Sequence, residues 1–340
     1  MTDQTILITG ISGFIAKHCA VELLKHGYAV RGTVRTGAKA DEARATLAGL
    51  CDTTKLSFAD ANLLSDAGWQ TAMQGIGGVL HVASPFQLGE PKDPNDLLKP
   101  AVEGTLRVLR AAVASGIPRF VQTSSMAAVV GGQRLRGSNL FTEDDWTDTN
   151  DKAVTSYFRS KTLAEKAARN FVETNGKNLR FATINPGFVL GPVLDRNIGA
   201  SAEVIQMILR GKYPGTPRIW FSVVDVRDVA RMHRLALEST EPTGGRYLAV
   251  SEVVRFLDIS RSIRERLGSA ARKAPSRELP DLLVRAVALF DPAVRSVLPD
   301  LGFMYEVDNT RTRQALGMDF IPVTESAPAM ANSLIELGLN

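Results

Sequence analysis

Short apolar runs alternate with amphipathic stretches through the first half of the chain. Thr5-Ile-Leu-Ile-Thr9 is an apolar run of strand length, and helical spacing follows from Phe14 to His26, just before Gly27, a favourable helix stop. Ala29–Val34, Lys55–Ala59 and Val79–Val82 read as the next three strands. Leu97–Ser115 has the pattern of a long amphipathic helix closed by Gly116 and Pro118. Arg119–Thr123 then reads as a fifth strand, Tyr157–Thr174 as a helix and Leu179–Ile184 as a sixth strand. Strands separated by helices of this length need right-handed crossovers, so the pattern predicts an α/β protein with a doubly wound parallel sheet.

The rhythm changes after Asn185-Pro186-Gly187. Pro192, Pro214 and Pro217 break the segment around one helix, Ser201–Arg210. Val226–Leu237 is helical again and Tyr247–Val250 strand-like, which returns the chain to the sheet, and the remainder to Asn340 reads as helix-rich. The expected organisation is a nucleotide-binding domain over residues 1–185 plus about 222–250, carrying a smaller helix-rich lobe over about 186–221 and 251–340.

Composition narrows the class without choosing a function. The 340 residues are 44% hydrophobic and 22% charged, which suits a folded chain with a full core rather than a disordered one. A net charge of +4 comes from scattered Lys and Arg, with no basic run to track a nucleic acid. Two cysteines, Cys19 and Cys51, cannot build a disulfide framework and point to a reducing compartment. Met1-Thr2-Asp3-Gln4 leads straight into the first strand without a signal-peptide pattern, and no window reaches the ~18 apolar residues of a membrane span. A cytoplasmic protein, monomer or homodimer, with no membrane partner is the expectation.

The first candidate site lies between the first strand and the first helix. In Thr9-Gly10-Ile11-Ser12-Gly13-Phe14-Ile15-Ala16, Gly10 permits a tight turn, Gly13 a close backbone approach and Ala16 tight helix packing. The helix N-terminus then presents free N–H groups to a pyrophosphate, so Gly10, Ser12, Gly13, Phe14 and Ile15 are candidate dinucleotide contacts in a Rossmann arrangement. An NAD site carries an acid about 20 residues after the loop. Here the second strand ends Thr33-Val34-Arg35-Thr36, and no acid follows before Asp41. Arg35, helped by Lys39, is therefore expected to hold the 2′-phosphate of NADPH/NADP+. Asp60, with Ala61 after it, is placed for the adenine amino group.

The second site is a trio. Tyr157 and Lys161 stand four residues apart and share one face of a helix, so the ammonium can favour the phenolate and lower the phenol's pKa. Ser125, just past Thr123 at the carboxyl end of the fifth strand, can orient a carbonyl oxygen beside Tyr157. A Ser-Ser pair can also be a plain strand terminus; serine, tyrosine and lysine behind a phosphate loop are much more specific together.

These motifs resemble the extended short-chain dehydrogenase/reductase family, in the branch of dihydroflavonol 4-reductase, cinnamoyl-CoA reductase and the aldehyde (methylglyoxal) reductases. The stretches that carry the resemblance are Thr9–Ala16, Gly27–Arg35, Leu80–Pro85, Ala101–Leu109, Val121–Ser125, Tyr157–Glu165 and Asn185–Pro192, with a weaker echo at Val224–Val229. The resemblance implies NADPH-driven reduction of an aldehyde or ketone, with Tyr157 as general acid, Lys161 on the nicotinamide ribose and Ser125 orienting the substrate. It further implies cofactor contacts along Val82, Ala83, Ser84 and Pro85, and along Pro186, Gly187, Phe188 and Val189. Arg107 stands where plant members carry Asn, and Ala61 where the family prefers Leu. The C-terminal lobe matches weakly, so no family substrate carries over.

Three other readings share the fold or the cofactor. An NAD-linked epimerase or dehydratase would carry an acid after the second strand, where this chain has Arg35; a 3β-hydroxysteroid-type dehydrogenase would run the same chemistry oxidatively; an NADP(H) sensor would lack the tyrosine or lysine. The four histidines show no metal-ligand spacing, and Glu143-Asp144-Asp145 reads as a solvated loop. Phe86, Met126, Val129, Phe188, Met207, Tyr213, Trp220 and Phe221 are pocket candidates that together suit a small hydrophobic or aromatic carbonyl substrate.

Overall fold

A computed structural model describes residues 4–84, 90–132, 139–176, 178–240, 244–291, 294–295 and 297–340. Strand β1 (Thr5–Ile8) buries three of its four residues and lies inside a seven-stranded sheet. Its neighbours are β2 (Ala29–Val34) on one side and β4 (Ile76–His81) on the other, both parallel to it. Beyond β2 lies β3 (Leu56–Asp60); beyond β4 lie β5 (Arg119–Thr123), β7 (Arg180–Pro186) and β10 (Gly245–Ala249). Every pairing in this sheet is parallel, as the alternation of apolar runs and helices requires. The strand order reverses direction at β1, which leaves a crevice at the carboxyl ends of β1 and β4.

Helices cover both faces. α1 (Phe14–Lys25) and α7 (Val226–Glu238) pack together on one face, and α4 (Asn95–Ala114) and α5 (Ser156–Asn175) on the other. A helix absent from the sequence reading, α2 (Gly37–Ala48), follows β2. Only Ala43 and Leu47 of its twelve residues are buried, so its pattern is too polar to announce an amphipathic face.

A second sheet also escaped the sequence reading. β8 (Phe188–Leu190), β9 (Trp220–Asp225) and β11 (Glu252–Arg255) pair in the order β11–β9–β8, parallel between β8 and β9 and antiparallel between β9 and β11. Its partners come from distant parts of the chain and β8 has three residues, too few for a periodic signal. The helix α6 (Ala200–Leu209) lies between β8 and β9, as expected for Ser201–Arg210. One apolar core runs from Ile6, Ile8 and Val30 of the large sheet through Leu190 and Ile205 to Phe256, Met330 and Leu334 of the C-terminal segment. No helix among the described residues is long and apolar enough to cross a membrane.

The two sheets meet where β7 passes into β8. A Cβ on Gly187 would lie 2.1 Å from the carbonyl oxygen of Ser222 in β9, so the backbones touch only because no side chain intervenes. Gly187→Ala is expected to destabilise the protein by about 3 kcal/mol, the upper range for overpacking a tight site. A urea titration should show a lower midpoint with unchanged slope, and an unchanged midpoint would remove Gly187 as the contact that sets the sheet spacing.

Candidate active site

The crevice opens into a cavity of about 1190 Å³, and its base is the turn after β1. Gly10 has φ of +63°, and a Cβ there would lie 2.8 Å from the Cβ of Ala83. Its N–H donates to Thr33 Oγ1 at 2.9 Å, and Gly13 N–H donates back to the Gly10 carbonyl at 2.9 Å, which folds the turn tightly. Gly13 caps α1 without a side-chain hydrogen bond, and the first turn of the helix holds no acid. The free N–H groups and positive end of α1 thus face the cavity, an arrangement suited to a diphosphate.

At the end of β2, Arg35 and Lys39 line the cavity. Lys39 is tied to Glu42 at 2.5 Å, whereas Arg35 is exposed and makes no side-chain hydrogen bond or ion pair. A guanidinium left free at this point fits the 2′-phosphate of NADPH better than the 2′-hydroxyl of NAD. Ala61, Val82, Ala83, Ser84 and Thr123 line the cavity, and so do Pro186, Gly187, Phe188 and Val189. Asp60 does not: β3 ends there with the residue exposed, and Asn62 lines the cavity instead. Pro85 and Phe86 lie outside the described residues.

Ser125, Tyr157 and Lys161 meet in the middle of the cavity wall. Ser125 is the N-cap of a short 3₁₀ turn, Met126–Ala128, and its Oγ accepts the Ala127 N–H at 3.1 Å. Tyr157 occupies the first turn of α5, where Thr155 caps the Phe158 N–H and Glu90 accepts the Ser156 N–H at 3.0 Å. The Tyr157 and Ser125 hydroxyls are hydrogen-bonded, and the Lys161 ammonium lies 5.9 Å from the centre of the phenol ring. Burial pushes the Tyr157 phenol above its ordinary value, with the Ser125 bond acting weakly the other way. This differs from the expectation of a lowered phenol: in the protein alone, burial sets the direction of the shift. Lys161 itself is brought down to about 8 by burial.

Beneath the trio lies a residue that sequence reasoning missed. Glu165 is fully buried on the face of α5 that carries Tyr157 and Lys161. Its Oε2 accepts from Ser124 Oγ at 2.5 Å and Asn185 Nδ2 at 2.8 Å; its Oε1 accepts from Arg246 Nε at 2.7 Å and Arg169 Nε at 3.0 Å. Asn185 Nδ2 also donates to the Ser125 carbonyl at 3.2 Å. Burial would raise the Glu165 carboxyl, but the two guanidiniums and the Ser124 and Asn185 bonds hold it below the usual carboxylate range. The spacing of 157, 161 and 165 on one helical face was the signal available in the sequence.

Arg246 extends the network. Its guanidinium donates to the carbonyls of Ala128, Glu143 and Asp145 and lies 3.8 Å from the centre of the Trp146 ring. Glu143 and Asp145 are therefore buried rather than solvated, and only Asp144 is exposed. His81, His18 and His233 are also structural. His81 Nδ1 lies 3.0 Å from Thr9 Oγ1, which accepts the Ala83 N–H, and burial holds the ring neutral with a pKa of about 3.

Aromatic side chains form the opposite wall. Phe188 and Phe221 pack with ring centres 4.8 Å apart, Phe303 and Tyr305 at 6.1 Å, and Trp220 lies beside them. Met126 also lines the cavity. Val129 is buried in the core, and Met207 and Tyr213 bond to one another outside the lining.

Comparison with known proteins places this geometry in a family. A sequence model of the NAD dependent epimerase/dehydratase family matches residues 6–249. The chain is similar to a cinnamoyl-CoA reductase of Medicago truncatula, 33% identical over 98% of this chain and 96% of that protein. It is 32% identical to a ketoreductase of Aspergillus niger over 98% of each. The crystal structure of yeast methylglyoxal/isovaleraldehyde reductase with NADPH superposes with a TM-score of 0.83 at 25% identity, covering 99% of this chain and 100% of that one.

Arg246→Met removes one partner of a buried carboxylate and is expected to cost about 3–5 kcal/mol at neutral pH. Because the folded-state pKa of Glu165 is depressed, its contribution is present above the unfolded carboxyl value and is lost as pH falls through the folded one. In the variant the carboxyl rises and can protonate, so the deficit should shrink as pH is lowered. Urea unfolding of both proteins at neutral and mildly acidic pH checks this; a deficit independent of pH would assign the loss to packing alone.

Proposed function

The chain belongs to the NAD dependent epimerase/dehydratase family, and from that premise we propose that it reduces an aldehyde or ketone to the alcohol with NADPH, Tyr157 giving the proton. The chain is an NADP-dependent oxidoreductase. The observation that carries the finer reading is the hydrogen-bonded Ser125–Tyr157 pair, one helical turn from Lys161, in the cavity that also holds the open glycine turn and Arg35. NADPH, when bound, supplies the hydride that reaches the carbonyl carbon.

The side chains of this protein do the rest. Ser125 and Tyr157 converge on one carbonyl oxygen, which fixes the substrate's orientation and polarises it. A phenol raised by burial keeps its proton through neutral pH, as a donor to a developing alkoxide must. Once the proton leaves, the nearby Lys161 ammonium stabilises the phenolate and can return a proton to it. The residues of about 186–221 and 251–340 serve as the substrate lobe in this reading. An NAD-linked epimerase is less well supported, because Arg35 stands where an acid would bind the ribose.

Loss of nicotinamide absorbance with NADPH and a panel of aromatic aldehydes and diketones tests the reading. Tyr157→Phe is expected to lower kcat by about 10²–10⁴-fold while leaving NADPH affinity nearly unchanged; full turnover in that variant would sink the proton-donor role. The pH profile gives a separate check. Lys161 is protonated below about 8, so kcat/KM for reduction should hold at neutral pH and fall as pH rises through that value. Lys161→Met should lose this limb; a limb unchanged in the variant would assign it to another group.

A further inference from the structure

Charge is distributed unevenly along the cavity. Among the described lining residues the basic side chains are Arg35 and Lys39 at the end of β2 and Lys161 beside Tyr157. All three lie in the cofactor half or at the reacting centre. The wall built by α6, the small sheet and the C-terminal segment holds Glu203 and Asp300; two further carboxylates line the cavity, Asp151 ahead of α5 and Asp96 in the first turn of α4. The Glu203 side chain makes no hydrogen bond or ion pair among the described residues, and Asp300 is close enough to help raise the Tyr305 phenol. Two described guanidiniums of the same segments are engaged elsewhere. Arg255 lies over the Trp220 ring at 5.5 Å and pairs with Glu278, and Arg218 pairs with Asp281; neither lines the cavity.

An anionic substrate held among these aromatic rings would lose water and meet the Glu203 and Asp300 carboxylates. Like charges brought together in such a place select strongly against the wrong ligand. Aromatic faces attract cations as well as apolar groups. A coenzyme A thioester is a demanding case, since its diphosphate and 3′-phosphate need Arg or Lys partners.

We infer that the carbonyl substrate is an uncharged or cationic aromatic compound, and that keto acids and coenzyme A thioesters are selected against. The inference rests on the carbonyl-reductase reading and goes beyond it by fixing the charge of the substrate. It also separates this chain from the cinnamoyl-CoA reductases it resembles in sequence.

The test compares methyl 4-formylbenzoate, 4-formylbenzoate and 4-(trimethylammonio)benzaldehyde as substrates with NADPH, and adds cinnamoyl-CoA. The ester and the cation should exceed the carboxylate in kcat/KM by about tenfold or more, and cinnamoyl-CoA should not oxidise NADPH. In Glu203→Gln/Asp300→Asn the ratio of ester to carboxylate should fall several-fold; because the intrinsic reactivity of each aldehyde cancels in this comparison, an unchanged ratio overturns the inference. So does turnover of the carboxylate or the thioester matching that of the ester. Aldehyde binding is read in parallel by quenching of tryptophan fluorescence, since Trp220 lines the wall. If no aldehyde is reduced, the reductase reading fails, while tighter binding of the ester or cation than of the carboxylate would still uphold the charge selection and the reverse order would overturn it.

Discussion

The geometry of the reacting centre depends on a carboxylate that cannot reach the substrate. Glu165 lies buried among five partners: Arg169 on its own helix α5, Ser124 just past the end of β5, Thr183 and Asn185 of β7, and Arg246 of β10. Ser124, next to Ser125, is tied to it directly; Asn185 joins it to the Ser125 carbonyl; Arg246 joins it to the carbonyl of Ala128 at the end of the following turn. Tyr157 and Lys161 are fixed to the same carboxylate through the rigid helix that carries all three. The separation of the Ser125 and Tyr157 hydroxyls is therefore set by the packing of four elements around one charge. Such a charge contributes little net stability, because desolvation offsets most of the attraction. Its effect is to make other arrangements of these elements costly, since any shift leaves a charge or a donor unpaired.

The cofactor half has a counterpart in Lys17. This side chain is 1% exposed on α1, directly behind the glycine turn, and its ammonium pairs with Asp195, which also accepts from Thr46 of α2 at 2.9 Å. Two residues on, Asn197 donates to the Ser12 carbonyl at 2.6 Å, and Asn197, Ile198 and Gly199 line the cavity. Burial lowers the Lys17 pKa even with Asp195 beside it, so the pair is held at a cost. The return is that the segment after β8 is registered against the glycine turn. The glycine turn and the Ser125–Tyr157 pair are thus each held by a separate buried charge, Lys17 behind the one and Glu165 behind the other.

Much of this was readable from the chain. The large sheet was legible because its strands are short apolar runs ended by glycines and separated by helices with clear apolar faces, as in Leu97–Ser115 against the observed Asn95–Ala114. The Gly10 turn and the Tyr157–Lys161 spacing were legible because each chemistry needs particular residues at fixed local distances. What escaped depends on distant partners. β8 and β9 become strands only by pairing with each other and with β11, and α2 buries too few residues to show periodicity. Glu143 and Asp145 look like surface acids until Arg246, a hundred residues later, brings its guanidinium to their carbonyls. Asp60 ends β3 as its spacing indicates, while the cavity is lined there by Ala61 and Asn62.

The phenol shows how local spacing and burial combine. A lysine one turn from a tyrosine lowers its pKa only if the ammonium is charged and the phenol is not more heavily desolvated than the cation can offset. Here both groups are buried, and each is pushed toward its neutral form, Tyr157 upward and Lys161 downward to about 8. For a proton acceptor this would be a defect. For a donor, the role proposed for Tyr157, it would be an advantage, because a phenol that keeps its proton can give it to a forming alkoxide in a low-dielectric site. The burial that raises the phenol comes with the close packing of α5 against α4, β7 and the Met126–Ala128 turn, the region whose register Glu165 holds. Protonation state and geometry are thus two consequences of one packing arrangement, and a change that loosens the network beneath α5 would disturb both together.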